Sequence, residues 1–233
     1  MKRFYTEVAV ADRQPDGFAI ELDGWPVRTP LRKPLHVPGA RLADAVAGEW
    51  NAQGETIELD SMPLTRIAAT ALDRVGEDPD GYVGQVAAYA ETDLVCYRAP
   101  SPSELVLRQS TAWEPLLDWA HRTFGVRLAA TEGVTPLDQE PETLARLRDV
   151  VASHDPFELA ALGVATSASG SLVVALALAH AHIDAGQAFE VSQLDETFQS
   201  ELWGMDPEAE RKLEILKADL ETSAAFLELL RAG

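Results

Sequence analysis

Cysteine is almost absent from this sequence, in which Cys96 is the one occurrence among 233 residues. A single thiol cannot form an internal disulfide, and it excludes zinc clusters and redox pairs that need several cysteines. We therefore expect a reducing compartment. The glycine-rich motifs GxGxxG, GxxxxGKS and GxxxxGKT are also missing, which excludes nucleotide binding through those phosphate loops.

Basic residues are scarce, because 19 lysines and arginines face 38 aspartates and glutamates, giving a net charge of −19. Such a field repels a phosphate backbone, so we expect no nucleic acid partner. Solubility alone can explain an acidic surface. However, the segment from Asp184 to Glu214 contains nine acidic residues and only two basic ones, Arg211 and Lys212, which gives it a net charge of −7. That concentration indicates an electropositive protein partner.

Long apolar runs are missing as well. The longest, from Ser171 to Ala181, falls far short of the ~20 residues that a transmembrane helix needs. The start of the chain has no continuous apolar segment before Asp12, so we predict no signal peptide. We expect a cytoplasmic protein without membrane insertion. A hydrophobic content of 46% is typical of a folded globular protein rather than a disordered one.

The N-terminal part of the chain alternates at the period of a strand. Phe18, Ile20 and Leu22 lie two residues apart, and turn signals occur at Pro15-Asp16-Gly17 and Asp23-Gly24. These patterns predict antiparallel β-hairpins. A helical period begins near Leu42, and Ser61 is a candidate N-cap for a helix that contains Pro63.

Beyond the proline- and serine-rich segment at residues 99–103, the pattern is mainly helical. Pro115 is expected to break or kink one helical run, and residues Ser171–Ile183 are predicted to form a buried central helix. The fold class is therefore α+β. We predict a small N-terminal domain of antiparallel β-hairpins with helices at residues 1–98, and a mainly α-helical C-terminal domain at residues 99–233.

Catalytic and metal-binding motifs are not evident in the sequence. His180 and His182 are two residues apart, so on one helix they would point in different directions and could not share a metal. Glu196 and Glu201 could act as a general acid and base only within a cleft. The serines at residues 166–171 are better placed to cap the following helix than to act as nucleophiles. We expect no cofactor, no metal and no enzymatic activity.

The stretch LDETFQSELWG, from Leu194 to Gly204, predicts an amphipathic helix. Gly204 should end this helix, and Asp206-Pro207 should begin the next one. We expect the apolar side of Phe198, Leu202 and Trp203 to pack against the buried central helix. The carboxylates on the opposite side would then form an acidic rim that is available for recognition.

Short motifs in a consistent order run along nearly the whole chain and resemble the ATP12 family, the assembly chaperones of the F1 sector of ATP synthase. The matching residues are Arg3-Phe4-Tyr5, Leu22-Asp23-Gly24-Trp25-Pro26-Val27-Arg28-Thr29-Pro30, Glu49-Trp50-Asn51-Ala52-Gln53, Met62-Pro63-Leu64-Thr65, Thr92-Asp93-Leu94, Tyr97-Arg98-Ala99, Gln109, Trp113, Pro115-Leu116-Leu117, Trp119, Phe198-Gln199 and Trp203-Gly204. Mitochondrial members carry a targeting segment, whereas this chain begins almost at the first motif, so the resemblance implies a bacterial cytoplasmic member.

The resemblance implies a non-enzymatic protein that holds the new F1-ATPase α subunit, shields its exposed interface and releases it to the β subunit. The residues that we expect to contact the partner are Glu49, Trp50, Phe198, Glu201 and Trp203. The aromatic residues among them could equally serve the fold. Two alternatives remain open at this stage: a small hydrolase or isomerase with a dispersed carboxylate–histidine site, and an acidic regulatory module that binds another basic protein.

Overall fold

The computed structural model describes residues 1–12, 15, 17–133 and 135–233. The chain forms two compact units. The first comprises Met1–Pro79, Asp155–Ala161 and Ala225–Gly233, and the second comprises Asp80–His154 and Leu162–Ala224. The domain boundary after residue 98 stays a prediction, while residues 80–98 lie within the second unit. The turn predicted at Pro15-Asp16-Gly17 includes Asp16, which lies outside the described residues.

The first unit contains a small antiparallel sheet, as predicted. Its strands are β1 (Val8–Asp12), β2 (Phe18–Leu22), β3 (Trp25–Pro26) and β4 (His36–Val37). Strand β2 pairs along its length with β1, and its other edge pairs with β3 and β4. Asp23 and Gly24 join β2 to β3 with φ values of 49° and 80°, the left-handed pair that a two-residue hairpin turn requires.

Helix α1 (Ala40–Asn51) packs against β1 and β2 through an apolar face that includes Leu42 and Val46. Helix α2 (Pro63–Thr70) follows and continues into a π-helical turn at Ala71–Val75. The prediction that Ser61 caps α2 is wrong. The Glu49 carboxylate takes that place, since it accepts hydrogen bonds from the backbone N–H groups of Leu64 and Thr65, each at 2.7 Å, and from the Thr65 hydroxyl at 2.6 Å.

The second unit is mainly helical. The strands and α-helices that lie wholly within it are β5 (Tyr97–Arg98), α4 (Ser103–Phe124), β6 (Thr131–Glu132), α5 (Pro141–Ala152), α7 (Leu172–Ala179), α8 (Ala185–Ser192) and α9 (Leu194–Trp203). Strands β5 and β6 pair in parallel. Three further helices have residues in both units, namely α3 (Pro79–Ala87), α6 (Pro156–Ser169) and α10 (Pro207–Arg231). Among the residues described, no helix is both long and apolar enough to cross a bilayer.

Helix α4 runs without interruption through Pro115, so the helix does not break there, while the alternative of a kink stays a prediction. A proline inside a helix costs about 3 kcal/mol. Trp113, Leu116 and Trp119 are all buried around this position. Their packing offsets the cost, because burying one large apolar side chain contributes roughly 1.5–3 kcal/mol.

Helix α7 forms the centre of the second unit, and all eight of its residues are buried, as predicted. The helix ends at Ala179 rather than near Ile183, because Ala181 adopts a left-handed φ of 53°. Ser171 caps its N-terminus by accepting a hydrogen bond from Val174 N at 3.0 Å, which confirms a capping role for this serine. The fully buried Asp93 carboxylate accepts the Ser171 hydroxyl at 2.5 Å and Val173 N at 3.1 Å.

The buried Asp93 should make folding stability depend on pH. Burial raises the pKa of its carboxyl from 3.8 to about 6, against the effect of its hydrogen bonds. A raised acid pKa means that this stability is fully present below about pH 4 and lost as the pH rises through about 6. Relative to Asp93→Asn, the wild-type free energy of unfolding should therefore fall by up to about 3 kcal/mol between those limits. Denaturant unfolding at a series of pH values tests this, and parallel curves for the two proteins would contradict it.

Replacing Glu49 should destabilise the first unit. Glu49→Ala removes the acceptor for two backbone N–H groups at the start of α2, so the free energy of unfolding should fall by about 1–3 kcal/mol. Asp44→Ala is the matched control, because Asp44 is an exposed carboxylate on the same helix. It should change stability by no more than ~0.5 kcal/mol. Equal effects of the two substitutions in urea unfolding would show that the cap contributes nothing.

Candidate partner-binding surface

Helices α9 and α10 are separated by residues 204–206, which form the helical corner that the sequence predicts. Helix α9 ends at Gly204, which has a φ of 80° that glycine adopts without steric cost. Asp206 begins α10 by accepting hydrogen bonds from Glu208 N and Ala209 N, each at 2.9 Å. Pro207 occupies the first helical position, where its missing N–H is not needed.

The apolar side chains of this corner divide into one that is buried and several that are exposed. Phe198 is 5% exposed, whereas Leu202 is 58%, Trp203 78% and Met205 45% exposed. The prediction that Leu202 and Trp203 pack against the central helix together with Phe198 is therefore wrong. Helix α9 packs against α4 and α8, and this arrangement leaves its last turn uncovered.

A groove with a volume of about 250 Å³ opens beside Trp203. Trp203, Met205 and Leu213 give it an apolar lining, while Glu196, Asp206 and Lys212 add charged groups. Such a groove can receive an apolar side chain flanked by polar or basic groups. We call this groove, together with the exposed side chains of Leu202, Trp203, Met205 and Glu201, the corner surface.

Glu201 is held by Arg108 of α4. Nη1 of Arg108 donates to both carboxylate oxygens of Glu201 at 3.0 and 2.8 Å, and Nη2 donates to Glu104 at 2.8 Å. The guanidinium also lies over the Phe198 ring, 5.2 Å from its centroid. The hydrogen bonds that Arg108 donates to the Glu104 and Glu201 carboxylates raise the pKa of its guanidinium. Two carboxylates around one arginine leave this edge of the corner surface with a net negative charge.

Two polar side chains on α4 position the helices that carry the corner. Gln109 is fully buried, donates to the Asp195 carboxylate at 2.7 Å and accepts Ala99 N at 2.7 Å. Trp113 donates from Nε1 to the Val191 carbonyl at 2.8 Å. The roles of Arg108 and Gln109 are not predicted by the sequence patterns above. For Gln109 a signal existed, because it is a polar residue four positions from Leu105 and from Trp113 on a buried face.

Glu49 and Trp50 belong to the first unit, whereas the residues that define the corner surface belong to the second. Trp50 is 7% exposed and lies in the core beside Tyr5, with 5.9 Å between the ring centroids. The Tyr5 hydroxyl donates to the Trp50 carbonyl at 2.7 Å. Burial raises the pKa of Glu49, whereas its hydrogen bonds from Thr65 and Leu64 act in the opposite direction. Both residues have fold roles here, and their contact with a partner stays a prediction.

Two histidines that follow α7 contact the same tryptophan, which their spacing did not indicate. The rings of His180 and His182 both contact Trp119, with centroid distances of 5.9 and 5.0 Å. The two histidines do not lie on one helix as the prediction assumed, because α7 ends at Ala179 and Ala181 has a φ of 53°. His154 lies 6.0 Å from His180. Within the described part of the chain, no three histidine, cysteine or carboxylate side chains are grouped to hold a metal ion.

Comparison with known proteins identifies relatives of this chain along most of its length. The family model for the ATP12 chaperone protein matches residues 2–121. The crystal structure of Atp12 from Paracoccus denitrificans has 41% identity and a TM-score of 0.92, covering 99% of this chain and 98% of that one. An Agrobacterium tumefaciens protein described as a candidate chaperone has 40% identity and a TM-score of 0.93, covering 98% and 86%.

A mitochondrial relative extends the comparison. The Schizosaccharomyces pombe protein atp12, mitochondrial, is 25% identical over 236 residues, which span 96% of this chain and 81% of that protein. The family match covers more than half of the sequence, and the structural matches cover nearly all of it with the same α+β architecture. The chain therefore belongs to the ATP12 family of chaperones.

Proposed function

We propose that this protein binds the unassembled F1-ATPase α subunit through the corner surface and releases it to the β subunit during ATP synthase assembly. Membership of the ATP12 family makes it an assembly chaperone of ATP synthase. The observation that carries the proposed site is the exposure of Trp203, which reaches 78% beside an apolar groove. The proposed partner is the one that the family resemblance implies.

An exposed tryptophan gives a folded protein little stability, because its apolar surface stays in water. Trp203 is not isolated, since Leu202 and Met205 beside it and Ile215 on α10 are also exposed. Exposed apolar side chains beside a groove mark a candidate interaction site, and tryptophan is enriched among the residues that dominate binding energy. An unassembled subunit also exposes an interface that aggregates unless it is covered. The two apolar surfaces can therefore cover one another.

The charges around the corner surface favour an electropositive partner. Glu196, Glu201 and Asp206 lie in or beside it, and the acidic segment from Asp184 to Glu214 surrounds it. Such a field increases the rate of encounter with a basic surface and disfavours acidic partners. Glu201 already forms an ion pair with Arg108, so an arginine of the partner would share the Glu201 carboxylate or displace Arg108. The arrangement supports binding that is selective and reversible.

Release requires no nucleotide in this proposal. The β subunit can displace the chaperone by covering a larger and better matched area of the α subunit. The exchange is then driven by competition between surfaces.

Removing the exposed tryptophan should weaken capture of the α subunit without affecting folding. Trp203→Ser should lower affinity at least tenfold, since a central aromatic contact contributes about 2 kcal/mol or more. Leu59→Ser is the control, because Leu59 is 61% exposed in the first unit. The measurement is the amount of soluble α subunit after co-expression and the amount that co-elutes with the chaperone. A basic protein unrelated to F1, such as cytochrome c, is tested in parallel as a control for non-specific binding. Equal capture by both variants would refute the proposed site.

Two substitutions separate the contribution of the Glu201 charge to partner binding from the contribution of the Arg108–Glu201 ion pair to stability. Glu201→Lys and Glu104→Lys each remove one partner of Arg108, and both sites are exposed, so each should cost no more than ~1 kcal/mol in stability. Only Glu201 lies on α9. We expect Glu201→Lys to weaken α-subunit binding several-fold more than Glu104→Lys, at similar thermal midpoints. Equal binding by the two variants would exclude a specific role for Glu201.

A further inference from the structure

A β-hairpin in the first unit presents a basic and apolar tip to solvent. Its backbone is closed by hydrogen bonds from Leu35 N to Val27 O at 2.8 Å and from Thr29 N to Lys33 O at 2.9 Å. Between them, Pro30, Leu31 and Arg32 are exposed, with Leu31 at 60%. We call these three residues, with the neighbouring Arg28, the hairpin tip.

The hairpin tip is held in place by a buried carboxylate. Asp73 is 6% exposed and accepts the Thr29 hydroxyl at 2.7 Å and Leu31 N at 2.9 Å. Lys33 donates to the Leu72 carbonyl at 2.9 Å and pairs with Glu77. Burying a carboxylate carries a desolvation cost. Here the carboxylate fixes a loop whose leucine remains in water, so the anchoring presents Leu31 outward and gains little apolar burial.

The hairpin tip is also positive within an acidic protein. Arg28 donates from Nη1 to the Arg32 carbonyl at 2.8 Å. Neither arginine has a carboxylate partner among the described residues. Their guanidinium groups are therefore available, and the planar guanidinium binds carboxylates with two parallel hydrogen bonds. Trp25, on the strand that leads into this hairpin, is 77% exposed.

We propose that the hairpin tip is a second client-binding surface, which takes an acidic segment of the bound subunit that carries an apolar side chain. This inference rests on the proposed function, because it assumes the same client. Arg28 and Arg32 would pair with carboxylates of that segment, while Leu31 would contact its apolar side chain. The chemistry is opposite in sign to that of the corner surface, so the two sites select different regions of the client.

A local protein segment fits the hairpin tip better than an extended polyanion does. The net charge of −19 opposes the approach of a nucleic acid or an anionic membrane, whose negative charge extends over a large area. An acidic peptide segment carries only a few negative charges, and these can lie next to the arginines of the hairpin tip. The long-range repulsion between chaperone and partner is then smaller.

The test uses the full-length chain and purified F1 α subunit, with binding measured by titration. Arg32→Glu should weaken binding at least tenfold, and Leu31→Ser should weaken it several-fold. Arg41→Glu is the control, because Arg41 is an exposed arginine on α1 of the same unit and undergoes the same charge change. It should alter binding less than twofold. Thermal midpoints of all three variants should stay close to that of the wild type, because their side chains are exposed.

Each outcome decides a separate claim. If the wild type captures no α subunit, the proposed function fails and the client assignment of the hairpin tip fails with it. If the wild type binds but Arg32→Glu and Leu31→Ser match Arg41→Glu, only the hairpin inference is overturned. Membrane binding is tested separately, by flotation with vesicles of equal parts phosphatidylcholine and phosphatidylglycerol. Vesicle binding that Arg32→Glu abolishes, with α binding unchanged, would assign the hairpin tip to membranes and overturn the inference.

Discussion

The polar contacts that α4 makes with α8 and α9 determine where the corner surface lies. Gln109 is fixed to Asp195 at 2.7 Å, and Trp113 is fixed to the Val191 carbonyl at 2.8 Å. The Gln109 amide is fully buried, and leaving it without a hydrogen-bond partner would cost about 1–3 kcal/mol. One register of α8 and α9 on α4 satisfies both groups. That register places Phe198 under Arg108 and leaves Trp203 in solvent.

Fold and recognition are therefore assigned to different residues of the same short helix. Two residues of α9 serve the fold. Asp195 accepts a hydrogen bond from the buried Gln109 amide, and Phe198 packs beneath the Arg108 guanidinium. Leu202 and Trp203, in the last turn of α9, contribute little to that packing because they are exposed. An acidic rim alone would serve solubility. The combination of a fixed helix, an exposed tryptophan and local negative charge is what supports a binding surface.

The sequence predicts much of the architecture but less of the surface. Period-two spacing predicted β2, the continuous apolar run predicted the buried α7, and Gly204 with Asp206-Pro207 predicted the corner. Each of these features is determined by residues that are close together in the sequence. The Glu49 cap on α2 joins residues 15 positions apart, and the Arg108–Glu201 pair joins residues 93 apart, so neither follows from local patterns. The exposure of Trp203 could not be predicted either, because it depends on which helices cover α9.

The most direct test of the corner surface is hydrogen–deuterium exchange of the chaperone alone and in complex with the F1 α subunit. We predict slower exchange in the complex at backbone amides from Gln199 to Ile215, which span the end of α9 and the start of α10. Amides of α5, at residues Pro141–Ala152, should exchange at the same rate in both samples. A stable complex in which residues 199–215 exchange as fast as in the free protein would contradict binding at this surface.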